Sequence, residues 1–162
     1  MTDGVAIRAA TRGDVPVILE LIQGLAEYEK LAHECVATEV ALEETLFGAR
    51  PQGEVIIALA DGTPAGFALF FHNYSTFLAR HGIFLEDLFV KPAFRGRGIG
   101  KTLLAHLAGI AVERGCGRLE WSVLDWNTDA IQFYESLGAR AMDEWTVYRV
   151  TGPALAQLAG ER

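Results

Sequence analysis

The sequence predicts an α+β fold, with one central mixed sheet flanked by helices in a single domain. Three observations carry this. Apolar residues recur at helical spacing in several segments, short apolar runs bounded by turn residues lie between them, and 162 residues with 51% apolar content supply one core of ordinary size.

Taken in order, Val5 to Arg8 reads as a short strand, and Thr11 with Asp14 three places on resembles a capping box. Val17, Ile18, Leu21, Ile22, Leu25 and Tyr28 then mark one apolar helix face. A shorter helix is expected after Thr38, ending by Phe47 and Gly48. Val55 to Ala60 and Ala65 to Phe71 flank the turn Asp61-Gly62-Thr63-Pro64, which predicts an antiparallel hairpin, and Ile83 to Val90 makes a third strand. Ile99, Leu103, Leu104, Leu107, Ile110 and Ala111 describe another amphipathic helix, closed by Gly115 and Gly117. Arg118 to Leu124 reads as a strand, Asn127 as the cap of a helix through Leu137, and Gly138 as its stop. Two strands, around 139–142 and 145–150, complete the sheet, so residues 3–152 form the domain and 153–162 a short helix or tail.

Composition narrows the function. Asp and Glu number 21 against 14 Lys and Arg, a formal net charge of −7 that disfavours a nucleic-acid backbone as partner and mildly favours cationic ligands. No run approaches the roughly 20 apolar residues of a membrane span, and the first residues lack a basic start followed by an apolar stretch. A cytoplasmic protein is expected, with no membrane or nucleic-acid partner. Cys35 and Cys116 lack Cys-x-x-Cys spacing and are read as reduced thiols, and His72 and His81 have no ligand set at metal spacing, so no metal is expected.

The strongest local signal is the turn Arg95-Gly96-Arg97-Gly98-Ile99-Gly100 between a strand and a helix. Glycine admits positive φ and removes the Cβ that obstructs a ligand, while successive amides and the first free donors of a helix suit a pyrophosphate. Arg95 and Arg97 add positive charge. A tight strand-to-helix connection with surface arginines is the other reading. The segment lacks the Gly-Lys-Ser/Thr end of a Walker loop.

Arg95, Gly98 and Gly100 fill the Gln/Arg-x-x-Gly-x-Gly/Ala signature of the GCN5-related N-acetyltransferase (GNAT) superfamily, which the chain resembles over nearly its whole length. The blocks IRAATRGD, LIQGLAEYEKL, FLEDLFVKPAFRGRGIG, WSVLDWNTDAIQFYESLGA and DEWTVYRV narrow the resemblance to its diamine, polyamine and thialysine acetyltransferase branch. It implies acetyl-CoA as cofactor, held by the main chain of Leu88, Phe89 and Val90, by Arg95, Gly96, Arg97, Gly98, Ile99, Gly100 and Lys101, and by Asn127 and Tyr134. It also implies transfer to a primary amine of a small molecule, and a homodimer.

The same resemblance assigns chemistry. Glu86 is the expected base or proton relay, because an alkyl ammonium with a pKa of about 10.4 must lose a proton before it attacks. Their adjacency on a strand favours opposite-facing side chains for Glu86 and Asp87. Tyr134, in the Asn-x-x-x-Ile-x-Phe-Tyr pattern, is the expected acid toward the departing thiolate. Glu29, Asp87 and Trp126 are the expected amine contacts, and Asn73 to Thr76 is similar to an acceptor entrance of this branch. From the residues alone, solvated charges, a helix cap at Asn127 and a core tyrosine explain the same positions. The short Ala60 to Pro64 connection departs from the vertebrate-like pattern and favours a diamine or thialysine-like amino acid over long polyamines. A protein-lysine acetyltransferase and a non-catalytic acetyl-CoA-binding regulator are the alternatives.

Overall fold

A computed structural model describes residues 4–160, which fall into two compact units meeting between Leu124 and Asp125 in the chain. The larger unit holds strands β1 (Val5–Ala9), β2 (Glu54–Ala60), β3 (Thr63–Ser75), β4 (Arg80–Val90) and β5 (Leu119–Trp121), and helices α1 (Val15–Tyr28), α2 (Glu39–Phe47) and α3 (Ile99–Glu113). The smaller holds α4 (Thr128–Ser136) and α5 (Gly152–Leu158). The outer ends of the domain and tail read from sequence, residue 3 and residues 161 and 162, lie outside the described residues.

The sheet runs in the order β1-β2-β3-β4-β5, antiparallel until the last pair, which is parallel. This is the expected mixed sheet. The hairpin between β2 and β3 turns on Asp61 and Gly62, both at positive φ (50° and 83°), as a two-residue loop that follows strand twist requires. The capping box also forms: Asp14 accepts from the Thr11 amide at 2.7 Å while two bonds from Arg8 hold its carboxyl well below the usual range. Pro16 follows in the first turn of α1, where its missing N–H costs nothing.

One sheet face is covered by α1 and α2. Val15, Ile18, Leu21 and Leu25 from α1, and Leu42 and Leu46 from α2, pack with Val55, Ile57, Phe67 and Phe89 of the sheet. Ile99, Leu103, Leu104 and Leu107 give α3 its own buried stripe. No helix among the described residues is long and apolar enough to cross a membrane.

The expected strands around 139–142 and 145–150 do not form among the described residues. Trp145, Val147 and Tyr148 are 75%, 84% and 91% exposed. A strand exists only through ladder bonds to a neighbour, and alternating apolar residues show a need for cover without supplying the neighbour. Strand β5 is likewise shorter than the 118–124 run suggested, because its pairing with β4 covers only Ile83 to Leu85.

Two mid-helix glycines separate packing from propensity. A Cβ on Gly24 of α1 would lie 2.8 Å from Cε2 of the buried Phe89 ring, whereas one on Gly109 of α3 would meet nothing within 4 Å. Alanine gains up to about 1 kcal/mol over glycine in a helix, but overpacking a core costs about 1–3 kcal/mol. Gly24→Ala is therefore expected to lower the urea midpoint and Gly109→Ala to raise it. Stabilisation by both would show that Gly24 is not a close-contact position.

Candidate active site

The site begins with a break in strand register. Leu69 of β3 faces Asp87 and Phe70 faces Leu85, so Glu86 opposes no residue and forms a β-bulge. Before the bulge, Ile83 and Leu85 share a face with His72 and Phe70; after it, Asp87 and Phe89 share the opposite face with Leu69 and Phe67. The extra residue thus turns Asp87 and Phe89 toward α1. The strict alternation used to separate Glu86 from Asp87 does not hold at this point.

Helix α1 ends beside this bulge. The amides of Lys30 and Leu31 return to the carbonyls of Glu27 and Ala26 at 3.0 and 2.8 Å, with Lys30 at a φ of 62°. This is the Schellman arrangement, and it fixes Glu29 at the helix end. Burial raises the Glu29 carboxyl above its ordinary range, and the charge of Glu86 raises it further. Asp87 is moved more, to about 7, first by burial and then by the charges of Glu86 and Glu29. Three carboxyls therefore share one electrostatic environment. Such a corner favours a cationic ligand, which restores the ionised forms by pairing with them.

Beyond Leu85, the strand edge of β4 that faces away from β3 has no paired strand among the described residues. The backbone of Leu88, Phe89 and Val90 lies on this stretch, while the Phe89 side chain belongs to the core. An open edge of this kind offers amides and carbonyls to an extended ligand.

The glycine turn follows directly. Gly96 and Gly98 have φ of 79° and 77°, and a Cβ at Gly96 would meet nothing within 4 Å. The first helical bond of α3 runs from the Thr102 amide to the Gly98 carbonyl at 3.0 Å, so the amides of Ile99, Gly100 and Lys101 precede the ladder. Ile99 itself is buried and anchors the turn. The backbone therefore fits a pyrophosphate. The arginines hold the turn to the fold: Arg95 Nε donates to the Val90 carbonyl at 2.9 Å with its guanidinium over Tyr28 and Phe89, and Arg97 lies 3.8 Å from Asp61.

The remaining expected residues lie in the smaller unit. Asn127 is nearly buried and caps α4, its Oδ1 accepting from the Ala130 amide at 3.3 Å. Tyr134 sits on α4 with its ring 5.6 Å from that of Phe133, and Trp126 is half-exposed just before the cap. Asn73, read as part of an acceptor entrance, donates to Glu120 at 3.3 Å.

Sequence reasoning missed two features. The bulge is hidden because Ile83 to Val90 reads as one uninterrupted strand, apolar apart from Glu86 and Asp87. The second is a grouping of His72, His81 and Cys116, whose ligand atoms lie within 4.8 Å of one another. Nothing in their spacing announces it.

The Asp87 shift has a definite sign in stability. The carboxyl ionises at about 7 in the fold against an ordinary 3.8, so the folded state binds more protons through that window and this group's contribution falls as pH rises from about 4 to about 7. Asp87→Asn removes the cost of ionisation. Its unfolding free energy relative to the native chain is expected to rise between pH 4 and pH 8 by at most about 4 kcal/mol. A difference constant with pH would contradict the shift.

Comparison with known proteins places the chain in a family. The Acetyltransferase (GNAT) family matches residues 22–139. Thialysine N-epsilon-acetyltransferase of Bos taurus is 40% identical over 97% of this chain and 98% of its own. L-ornithine N5-acetyltransferase of Arabidopsis thaliana is 38% identical over 92% of this chain and 85% of its own. An integron cassette protein from the mobile metagenome of V. cholerae superposes with a TM-score of 0.81 at 29% identity, covering 96% and 98% of the two chains. The chain belongs to the GNAT acetyltransferase family and is an N-acetyltransferase.

Proposed function

We propose that the acceptor is the primary amine of a small cationic molecule, of the thialysine, ornithine or diamine class, and that acetyl-CoA is the donor. The observation that carries this is the carboxyl corner of Glu29, Glu86 and Asp87 beside an open strand edge and a glycine turn. A molecule with two amino groups matches it: one ammonium is retained by carboxylate while the other loses a proton and attacks. The names of the thialysine and ornithine relatives support the same class.

Acetyl-CoA supplies an activated acetyl thioester. The amides of Ile99, Gly100 and Lys101, with the positive-φ glycines, would hold the pyrophosphate, and the backbone of Leu88 to Val90 would supply the main-chain donors for the pantetheine arm and the thioester carbonyl. Glu86 is the exposed member of the acidic corner and takes the proton from the attacking amine, directly or through water. Glu29 and Asp87 hold the distal ammonium. By the family resemblance of their motif, Trp126 would wall the acceptor, Asn127 would help hold the pantetheine arm, and the Tyr134 phenol would be the proton donor toward the leaving thiolate.

The chain acts as a homodimer in the cytoplasm in this reading. Exposed Trp145, Val147 and Tyr148 form an apolar run that a second copy would cover, and both cysteines are free thiols. Light scattering on the full chain tests the pairing, and a monomer at micromolar concentration removes it.

Turnover of acetyl-CoA against thialysine, ornithine, putrescine, spermidine and a lysine peptide, with the products identified, tests the acceptor class. Thialysine, ornithine or putrescine is expected to give the highest kcat/KM. Preference for the peptide would replace the proposal with protein-lysine acetylation, and no turnover despite CoA binding would replace it with a regulatory role. Tyr134→Phe is expected to lower kcat by about 10²-fold or more with CoA affinity unchanged. An unchanged kcat would remove Tyr134 from the acid role.

A further inference from the structure

We propose that His72, His81 and Cys116 form a binding site for a zinc-like divalent cation. Two imidazoles and one thiolate are a ligand set for zinc, and a water would fill the fourth tetrahedral position. The three ligand atoms lie within 4.8 Å of one another, where a tetrahedral zinc site needs about 3.3–3.6 Å. The ligand atoms would have to draw together by about 1 Å to hold the ion.

Each ligand stands on a rigid part of the larger unit. His72 is on β3 and His81 on β4; Tyr74 pairs with His81 and Ile83 with His72, so the two histidines are diagonal neighbours on one sheet face. Their rings meet edge to face, with centroids 4.8 Å apart. Cys116 follows the end of α3, where Gly115 at a φ of 71° lets the Cys116 amide return to the Ala111 carbonyl at 2.8 Å. The next amide, of Gly117, bonds to the backbone carbonyl of His81 itself at 3.0 Å. The cysteine and one histidine are thereby tied together through the main chain.

Arg114 donates to Nε2 of His72 at 3.3 Å, so that nitrogen carries a lone pair and the ring is neutral, the form that ligates. Arg114 is also held by Glu54 through two bonds of 2.7 and 2.9 Å, which leaves it anchored when a metal takes over Nε2. Arg80 lies beside Gly117, so the cation must be held by the ligand atoms themselves, with the Glu54 carboxylate next to His72 through Arg114. Zinc here would pin the β3–β4 hairpin to the end of α3, a structural role separate from acetyl transfer.

Cobalt(II) reports the geometry directly. The full chain, stripped of metal and kept reduced, is expected to bind one Co²⁺ with a thiolate charge-transfer band and the visible bands of a tetrahedral ion, both lost on adding Zn²⁺. Cys116→Ala and Cys116→Ser abolish the charge-transfer band, and His81→Ala weakens binding about tenfold or more. Cys35→Ala binds like the native chain. Zinc also raises the thermal midpoint of the native chain and not that of Cys116→Ser. Absence of a thiolate band in the native chain, or its survival in both Cys116 variants, overturns the proposal.

Discussion

The site depends on one residue too many in one strand. Glu86 opposes nothing on β3, and by occupying a bulge it reverses the facing of every residue that follows it in β4. Without the bulge, Asp87 and Phe89 would point to the α3 side with Ile83 and Leu85. With it, Phe89 packs on Gly24 of α1 and lies beneath the Arg95 guanidinium, while Asp87 shares its field with Glu29. Packing and charge at the acidic corner thus have a common origin in backbone register.

The same region explains how a fold dominated by apolar contacts exposes polar backbone where a cofactor needs it. Strand β5 stays with β4 only as far as Leu85, and the chain then passes from an open strand edge to glycines at positive φ and the uncommitted amides of α3. The buried Ile99 side chain and the Arg95 contact with the Val90 carbonyl keep this stretch rigid. Pre-organised donors of this kind need no rearrangement when charge arrives, which is where their value for binding and catalysis lies.

Most elements were legible in the sequence, because amphipathic periodicity and turn chemistry are local: the α1 stripe, the Asp61-Gly62 hairpin and the Asn127 cap all form as read. The glycine turn was legible for the same reason. Register was not, since Ile83 to Leu85 and Leu88 to Val90 are apolar at every position and a one-residue slip at the intervening Glu86-Asp87 leaves that pattern intact. The final strands failed in the opposite way: Trp145 to Val150 carries a strand pattern, but pattern alone does not supply a partner. The His72, His81 and Cys116 grouping joins three distant stretches of chain through sheet pairing and a helix end. Their separations hold no signal.

Asp87 belongs to an acidic corner with Glu29 and Glu86, and in the proposed function that corner receives the cationic acceptor. The Asp87 carboxyl, raised to about 7, keeps part of its proton at neutral pH, so an ammonium that binds beside it drives that proton off. Calorimetry of thialysine or ornithine binding to the CoA-loaded protein at pH 7, in buffers of differing ionisation enthalpy, counts the protons released. The native chain is expected to release more protons on binding than Asp87→Asn; equal release by the two would contradict the account.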